Sequence, residues 1–211
     1  MLTRILNHLR RRFIDAPRGL GHPVPAAAFD EEFRSGHWRL LDSADEQARY
    51  ATLARLIRAQ HTRPRLLDAG CGSGRLAACF KPDELIAYNG VDLSAEAIRQ
   101  AREVVPPGSV LQQGDLETWT AARRYDVIVI NEVIGYFRDP AATLTRLAGA
   151  LESGGVLIVS LYRWGNAPAI WRRLATPFQT LHATTVVNVG GDKTWDIRIL
   201  QPVAPIAPPQ P

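Results

Sequence analysis

The stretch RLLDAGCGSGRLAACF, from Arg65 to Phe80, sets Gly70, Gly72 and Gly74 between an apolar run and an alanine-rich one. Its left flank reads as a buried strand and its right flank, near 74–80, as a helix. Glycines at such a junction let backbone N–H groups approach a ligand where a helix begins and its partial positive charge favours an anionic group. The spacing separates three ligand classes. A triphosphate loop needs G-x-x-x-x-G-K-[ST], and the chain has only Lys81 and Lys193. A dinucleotide loop needs G-x-G-x-x-G, whose third glycine would fall where Arg75 stands. What is present from Asp68 to Gly74 is D-x-G-x-G-x-G.

Beyond this junction short β-rich runs alternate with helical patterns, the mark of a parallel sheet wrapped by helices. Strands are expected at 65–70, 85–93, 110–115, 125–133 and 155–162, and helices near 74–80, 95–104, 139–152 and 166–175. Asp139 before Pro140 reads as an N-cap with proline at the first helical position. Leu144, Leu147, Ala148 and Leu151 mark that helix's buried face, and Gly154-Gly155 is expected to end it. Two further runs, LHATTVVNV and TWDIRIL, are joined by GGDK and read as an antiparallel hairpin. The expected fold class is α/β, a seven-stranded sheet of five parallel strands plus this terminal hairpin, with helices on both faces. Upstream, Ser43 and Glu46 read as a capping box opening a helix with Leu53, Leu56 and Ile57 on one face.

A chain of 211 residues, 46% hydrophobic and 22% charged, fits one well-packed domain. Its net charge of +4 is local: residues 1–24 hold Arg4, Arg10, Arg11, Arg12 and Arg18 against Asp15, and the rest is balanced. A partner nucleic acid is therefore not expected. Leu2, Ile5, Leu6, Leu9 and Phe13 recur at helical spacing along this basic arm. The arm fits a helix docked as a lid on its own domain, the favoured reading, or a peripheral membrane contact. An organellar targeting peptide has the same composition. No run of eighteen apolar residues occurs, and the start lacks the apolar core of a secretory signal, so a cytoplasmic address is the expectation. Cys71 and Cys79 read as small buried thiols, with no disulfide framework and no metal site expected. The division expected is an arm at 1–24, a domain at 25–200 with N-terminal lid helices, and a proline-rich flexible tail at 201–211.

Four motifs in order carry a resemblance: LLDAGCGSG at 66–74, GVDLS at 90–94, QGDL at 113–116 and YDVIVINEVIGYF at 125–137. Over roughly residues 43–200 the chain resembles the class I S-adenosylmethionine-dependent methyltransferases of the small-molecule type. The resemblance implies a Rossmann-like methyltransferase sheet and S-adenosyl-L-methionine as cofactor. The methionine end of that molecule carries a carboxylate and an ammonium but no phosphate. Backbone amides near Gly70, Gly72 and Gly74 are therefore expected to suffice without a lysine, helped by Asp68. The resemblance gives Asp92 the ribose hydroxyls, whose two protons a carboxylate can accept. It sets Asp115 near the adenine amino group, the Leu116 backbone at the ring edge, Leu93 against the purine and Asn131 near the reacting sulfur. Cys71 reads as a packing residue.

The implied reaction is transfer of a methyl group to an N or O atom of a small organic acceptor such as a natural product, sugar or metabolite. The alternatives are a cofactor-binding protein of the same fold without turnover, and a methyltransferase acting on a protein or peptide. A sulfonium methyl is already a good electrophile, so alignment and exclusion of water carry the rate. The acceptor is expected beyond the carboxyl ends of the strands, near Asn131, Glu132, Tyr136, Phe137, Tyr162, Arg163 and Trp164, with His37, Trp38 and Tyr50 closing over it. Candidate proton acceptors are Glu132, His37, His182 and Tyr162, with Glu132 first because it follows the fourth strand. Asn131-Glu132-Val133-Ile134 lacks the [DN]-P-P-[YFW] of DNA amino-methylating enzymes and the Pro-Cys of cytosine C5 enzymes.

Overall fold

The computed structural model describes residues 10–203; Leu2, Ile5, Leu6 and Leu9 of the expected arm helix, and the tail from 204 onward, lie outside the described residues. The sheet is built from β1 (Arg65–Ala69), β2 (Ala87–Asp92), β3 (Val110–Gln113), β4 (Tyr125–Asn131), β5 (Leu151–Tyr162), β6 (Phe178–Val187) and β7 (Thr194–Pro202). Its order is β3-β2-β1-β4-β5-β7-β6. The first five strands are parallel, and β7 runs antiparallel between β5 and β6. Five α-helices are described: α1 (Ala26–Ser35), α2 (Ala44–Gln60), α3 (Ala95–Ala101), α4 (Pro140–Ala148) and α5 (Ala167–Leu174).

Alternation along the central strands assigns each residue to one of two cores, because successive side chains of a strand point to opposite faces. Leu66, Val127, Val129, Val156 and Ile158 pack with Leu53, Leu56 and Ile57 of α2. Leu67, Ile128, Ile130, Leu157 and Val159 pack with Leu144 and Leu147 of α4 and with Ile170, Trp171 and Leu174 of α5. Burial on both faces explains why VIVI in β4 is uninterruptedly apolar. The strand order reverses between β1 and β4, which pair in parallel while β2 leaves β1 on the other side. Loops after β1 and β4 therefore part, opening a crevice at their carboxyl ends.

Several local expectations are corrected. The run at 74–80 is no α-helix: turns lead into a single 3-10 turn at Ala77–Cys79, and Lys81 before Pro82 is extended, as pre-proline sterics favour. The helix expected at 139–152 stops at Ala148 with Gly149 as its C-cap. Gly154 and Gly155 lie instead within β5, at an irregularity opposite Tyr125–Val127, where a Cβ on Gly155 would stand 3.1 Å from the Tyr125 and Asp126 carbonyl oxygens. The Ser43–Glu46 capping box is not formed. Ser43 is the N-cap without a side-chain bond, and the Glu46 carboxylate turns inward to Arg49. Gln201 and Pro202 pair with β6 rather than starting the tail, and Cys79 is only half-buried.

Asp139 behaves as its sequence suggests, accepting from the N–H groups of Ala141 and Ala142. It also pairs with Arg173 of α5, so one carboxylate caps α4 and ties two helices together. Asp139→Ala is expected to lower stability by about 1–2 kcal/mol, the upper half of the N-cap range. Urea unfolding followed by tryptophan fluorescence checks this; a change below a few tenths of a kcal/mol would show that the cap is dispensable.

Candidate active site

The glycine loop owes its composition to close backbone packing. Gly70 has φ of +85°, and a Cβ there would fall 2.2 Å from Val133 Cγ2, on the loop after β4. Only glycine reconciles that backbone with that neighbour. The amides expected to face a ligand are engaged within the chain: Gly70 and Cys71 donate to the Val91 carbonyl, Gly72 to Asp92 Oδ2 and Gly74 to the Cys71 carbonyl. With no α-helix following, the helix-terminus argument for anion binding does not apply here either. Gly74 packs against Val105 and Ala101, while the buried Cys71 fits where Gly90 lacks a side chain. Burial also pushes the Cys71 thiol up, consistent with packing rather than chemistry.

Side chains therefore define the site. At the end of β2, Asp92 accepts from Gly72 N–H at 2.8 Å and from Ser94 N–H at 2.9 Å. Burial raises its pKa, and those two backbone donors oppose the rise. Asp68, near the end of β1, is buried and accepts from the Tyr88 hydroxyl at 2.7 Å. Burial pushes its pKa up to about 7, with the Asp92 charge adding to the shift and the Tyr88 hydrogen bond opposing it. Asp115, just after β3, accepts from Glu117 N–H at 2.9 Å.

Glu132, just after β4, has φ of +62°, the only positive value at a non-glycine residue among the described residues. Its carboxylate accepts from Ser160 Oγ at 2.7 Å and from Tyr162 N–H at 3.0 Å. Two bonds to β5 thus hold a conformation that side chains avoid. Burial raises the Glu132 pKa, with Arg49 and the Ser160 bond opposing. Arg49, on α2, is 1% exposed and pairs with Glu46 at 2.5 Å; it also donates to Asn131 Oδ1 and stacks on the Tyr50 and Trp195 rings. Its Nε is buried with no partner.

These groups converge on a cavity of about 550 Å³. Asp68, Gly70, Gly72, Asp92, Leu93, Asp115, Leu116, Asn131 and Glu132 all line it. The N-terminal segment supplies the facing wall, with Pro23 to Ala26, Phe29, Phe33 and Trp38. That wall is latched: Asp30 accepts from Ser94 Oγ and Glu96 N–H at the start of α3, and the Phe33 carbonyl accepts from Gln100. His22 N–H donates to the Gly135 carbonyl, fixing the approach to α1. Trp38 and Tyr50 line the cavity as expected upstream residues.

Gly74, His37, His182 and Tyr162 are not among the lining residues. His37 and His182 are exposed, the latter on the edge strand β6, and Tyr162 contributes its backbone N–H to Glu132 while its ring packs on Trp195. Arg163 pairs with Asp196, and Trp164 is 76% exposed. Arg49, Phe29, Phe33 and Glu117 line the cavity without having been singled out from the sequence. The signal for the aromatic pair was their spacing of four in AAAFDEEF, one face of a helix. Among the described residues no group of three or more His, Cys, Asp or Glu is placed to hold a metal, and no helix is long and apolar enough to cross a membrane.

With this geometry in view, comparison with known proteins gives a consistent outcome. The family model for the methyltransferase domain matches residues 38–190, and the chain belongs to this family, whose fold is that of the class I S-adenosylmethionine-dependent methyltransferases. A trans-aconitate 2-methyltransferase from Azoarcus sp. (strain BH72) is 34% identical over 134 residues, covering 61% of this chain and 51% of the relative. A malonyl-[acyl-carrier protein] O-methyltransferase from Halalkalibacterium halodurans is 33% identical over 132 residues, covering 59% and 45%. The chain thus spans about half the length of these relatives. The crystal structure of N-methyltransferase NodS from Bradyrhizobium japonicum WM9, in complex with S-adenosyl-L-homocysteine, matches with a TM-score of 0.73 at 19% identity. That match covers 85% of this chain and 98% of that one, a likeness of fold.

The contact between Gly70 and Val133 generates a double-mutant test. Gly70→Ala is expected to destabilise the fold by more than about 1 kcal/mol, from the clash and the strained φ together. Val133→Ala should relieve part of this, giving a favourable coupling of about 0.5–3 kcal/mol. Additive effects in denaturant unfolding would mean that the two loops do not meet as described.

Proposed function

We propose that this chain binds S-adenosyl-L-methionine in the cavity and transfers its methyl group to an N or O atom of a small organic acceptor. The observation that supports the reading most is that Asp68, Asp92, Asp115 and Asn131, from the ends of four adjacent strands, line one cavity in the order the resemblance implies. When bound, the sulfonium supplies an electrophilic methyl carbon. Asp92 has lone pairs beyond those used by Gly72 and Ser94, and these suit two ribose hydroxyls. Leu93 and Leu116 offer apolar contact to a purine, and Asp115 an acceptor for its amino group.

For the amino-acid end, the engaged loop amides leave the work to side chains. Arg49, which lines the cavity, fits a carboxylate, and Asp68 fits an ammonium. The apolar wall formed by Pro23 to Ala26, Phe29 and Phe33 lines the cavity alongside the strand ends, which favours a small acceptor over a folded protein. Water excluded by the same wall would otherwise compete as nucleophile.

Isothermal titration with S-adenosyl-L-homocysteine, followed by methyl-transfer assays on metabolite panels, tests this reading. Asp92→Ala is expected to weaken binding by about 1.5–3 kcal/mol, the worth of a hydrogen bond to a charged group. An unchanged affinity would remove Asp92 from the site. Binding is also expected to depend on pH through Asp68. A neighbouring ammonium favours the carboxylate, so binding lowers the Asp68 pKa from about 7 and releases a proton. Affinity should be level above that pH and fall below it by at most about tenfold per unit. Asp68→Asn should abolish the dependence; a profile unchanged in that variant would assign the proton elsewhere.

A further inference from the structure

We infer that the acceptor is an amine, bound beneath the aromatic wall beside Glu132, and not a carboxylic acid. The inference rests on the methyl-donor reading above and names the substrate class for the same cavity. It follows from what lines the cavity. Five carboxylate residues do so, Asp68, Asp92 and Asp115 on the donor side in the reading above and Glu117 and Glu132 beyond them, against two arginines, Arg49 and Arg138. In that reading Arg49 is taken by the donor's carboxylate, and Arg138 lies largely in water. Arg49 pairs with Glu46 and donates to Asn131, while the Arg138 side chain is 81% exposed and faces Glu117 at 3.8 Å. A carboxylate acceptor would enter a field of its own sign with no buried cation left to receive it. A protonated amine is drawn in by that field.

The apolar wall favours the same class. Phe33 and Trp38 stack at 5.8 Å between centroids, Trp38 meets Phe29 at 6.5 Å, and Phe29 meets Tyr136 edge-on at 5.1 Å. These four rings form a continuous aromatic surface from the glycine loop to the loop after β4, and all four line the cavity. Trp38 is fixed by its indole N–H bond to Glu32 at 3.1 Å. Ring faces attract ammonium groups and offer nothing comparable to a carboxylate.

Glu132 completes the arrangement. Its carboxylate is held from behind by Ser160 and the Tyr162 N–H, leaving lone pairs available to an ammonium. Transfer then balances as follows. The R–NH3+ group gives one proton to Glu132, and its freed lone pair forms the N–C bond to the methyl carbon. The C–S bond breaks with its electron pair remaining on sulfur, converting the sulfonium to a neutral thioether. The product is R–NH2+–CH3, and Glu132 returns its proton to solvent. A base raised by burial is suited to this step, although the aromatic wall and the charge balance carry the assignment.

The test uses the full chain saturated with S-adenosyl-L-homocysteine, titrated with phenethylamine and with 3-phenylpropionate as its carboxylate counterpart. The amine is expected to bind about tenfold or more tightly than the acid. Glu132→Gln should narrow that ratio about tenfold with the affinity for S-adenosyl-L-homocysteine retained, which also reports that the variant is folded. Trp38→Leu, which changes no charge, should narrow it as well. An acid bound as well as the amine, or a ratio indifferent to both substitutions, would overturn the inference. Failure of the chain to bind S-adenosyl-L-homocysteine at all would instead overturn the donor reading on which it rests.

Discussion

The Asp92 carboxylate is the tie on which the cleft depends. One oxygen accepts from Gly72 in the loop after β1, and the other from Ser94 at the start of α3. The carbonyl of the same residue accepts from Gly114 after β3, while the neighbouring Val91 carbonyl takes both Gly70 and Cys71. The last two residues of β2 therefore suspend the loops of three adjacent strands. Charge-assisted bonds of this kind are shorter and stronger than neutral ones, which suits a residue that must hold three loops in register. Burial raises the Asp92 pKa and the backbone donors oppose the rise, at the place where the proposed ribose would lie.

A second set of charges organises the other end of the cavity. Arg49, Glu46, Asn131 and Glu132 bring α2 against the ends of β4 and β5, with Lys193 reaching Glu46 from the hairpin at 3.4 Å. A buried ion pair gains little net stability once desolvation is counted. Arg49 of this pair lines the cavity, where the carboxylate of the proposed donor would meet it. The strained backbone at Glu132 lies beside this set, and bonds from two residues of β5 hold its carboxylate at the wall of the cavity.

Much of this was legible in the sequence because it depends on local periodicity. The unbroken apolar run in YDVIVIN, the Asp139-Pro140 helix start and the GGDK turn each specify their elements without help from distant residues, and together they specify the sheet. The reading broke down where partners are remote. The loop amides look free from Gly70 to Gly74 until β2 supplies Val91 and Asp92 as their acceptors. Ser43 and Glu46 match a capping box locally, but Arg49, three residues on, competes successfully for the carboxylate. Phe29 and Phe33 look like an ordinary apolar stripe, and only the docking of α1 on α3 through Asp30 and Ser94 turns them into a wall of the cavity. His182 drew attention by its chemistry, yet its strand lies at the sheet edge, remote in order from β1 and β4.

The central claim is that the carboxylate tying these loops together also receives the sugar of a sulfur nucleoside. A crystal structure of the chain grown with S-adenosyl-L-homocysteine tests it most directly. The account predicts both ribose hydroxyls within hydrogen-bond distance of Asp92, with Gly72 N–H still donating to it and the ligand's carboxylate meeting Arg49. A nucleoside bound elsewhere, or an Asp92 that makes no contact with it, would contradict the account.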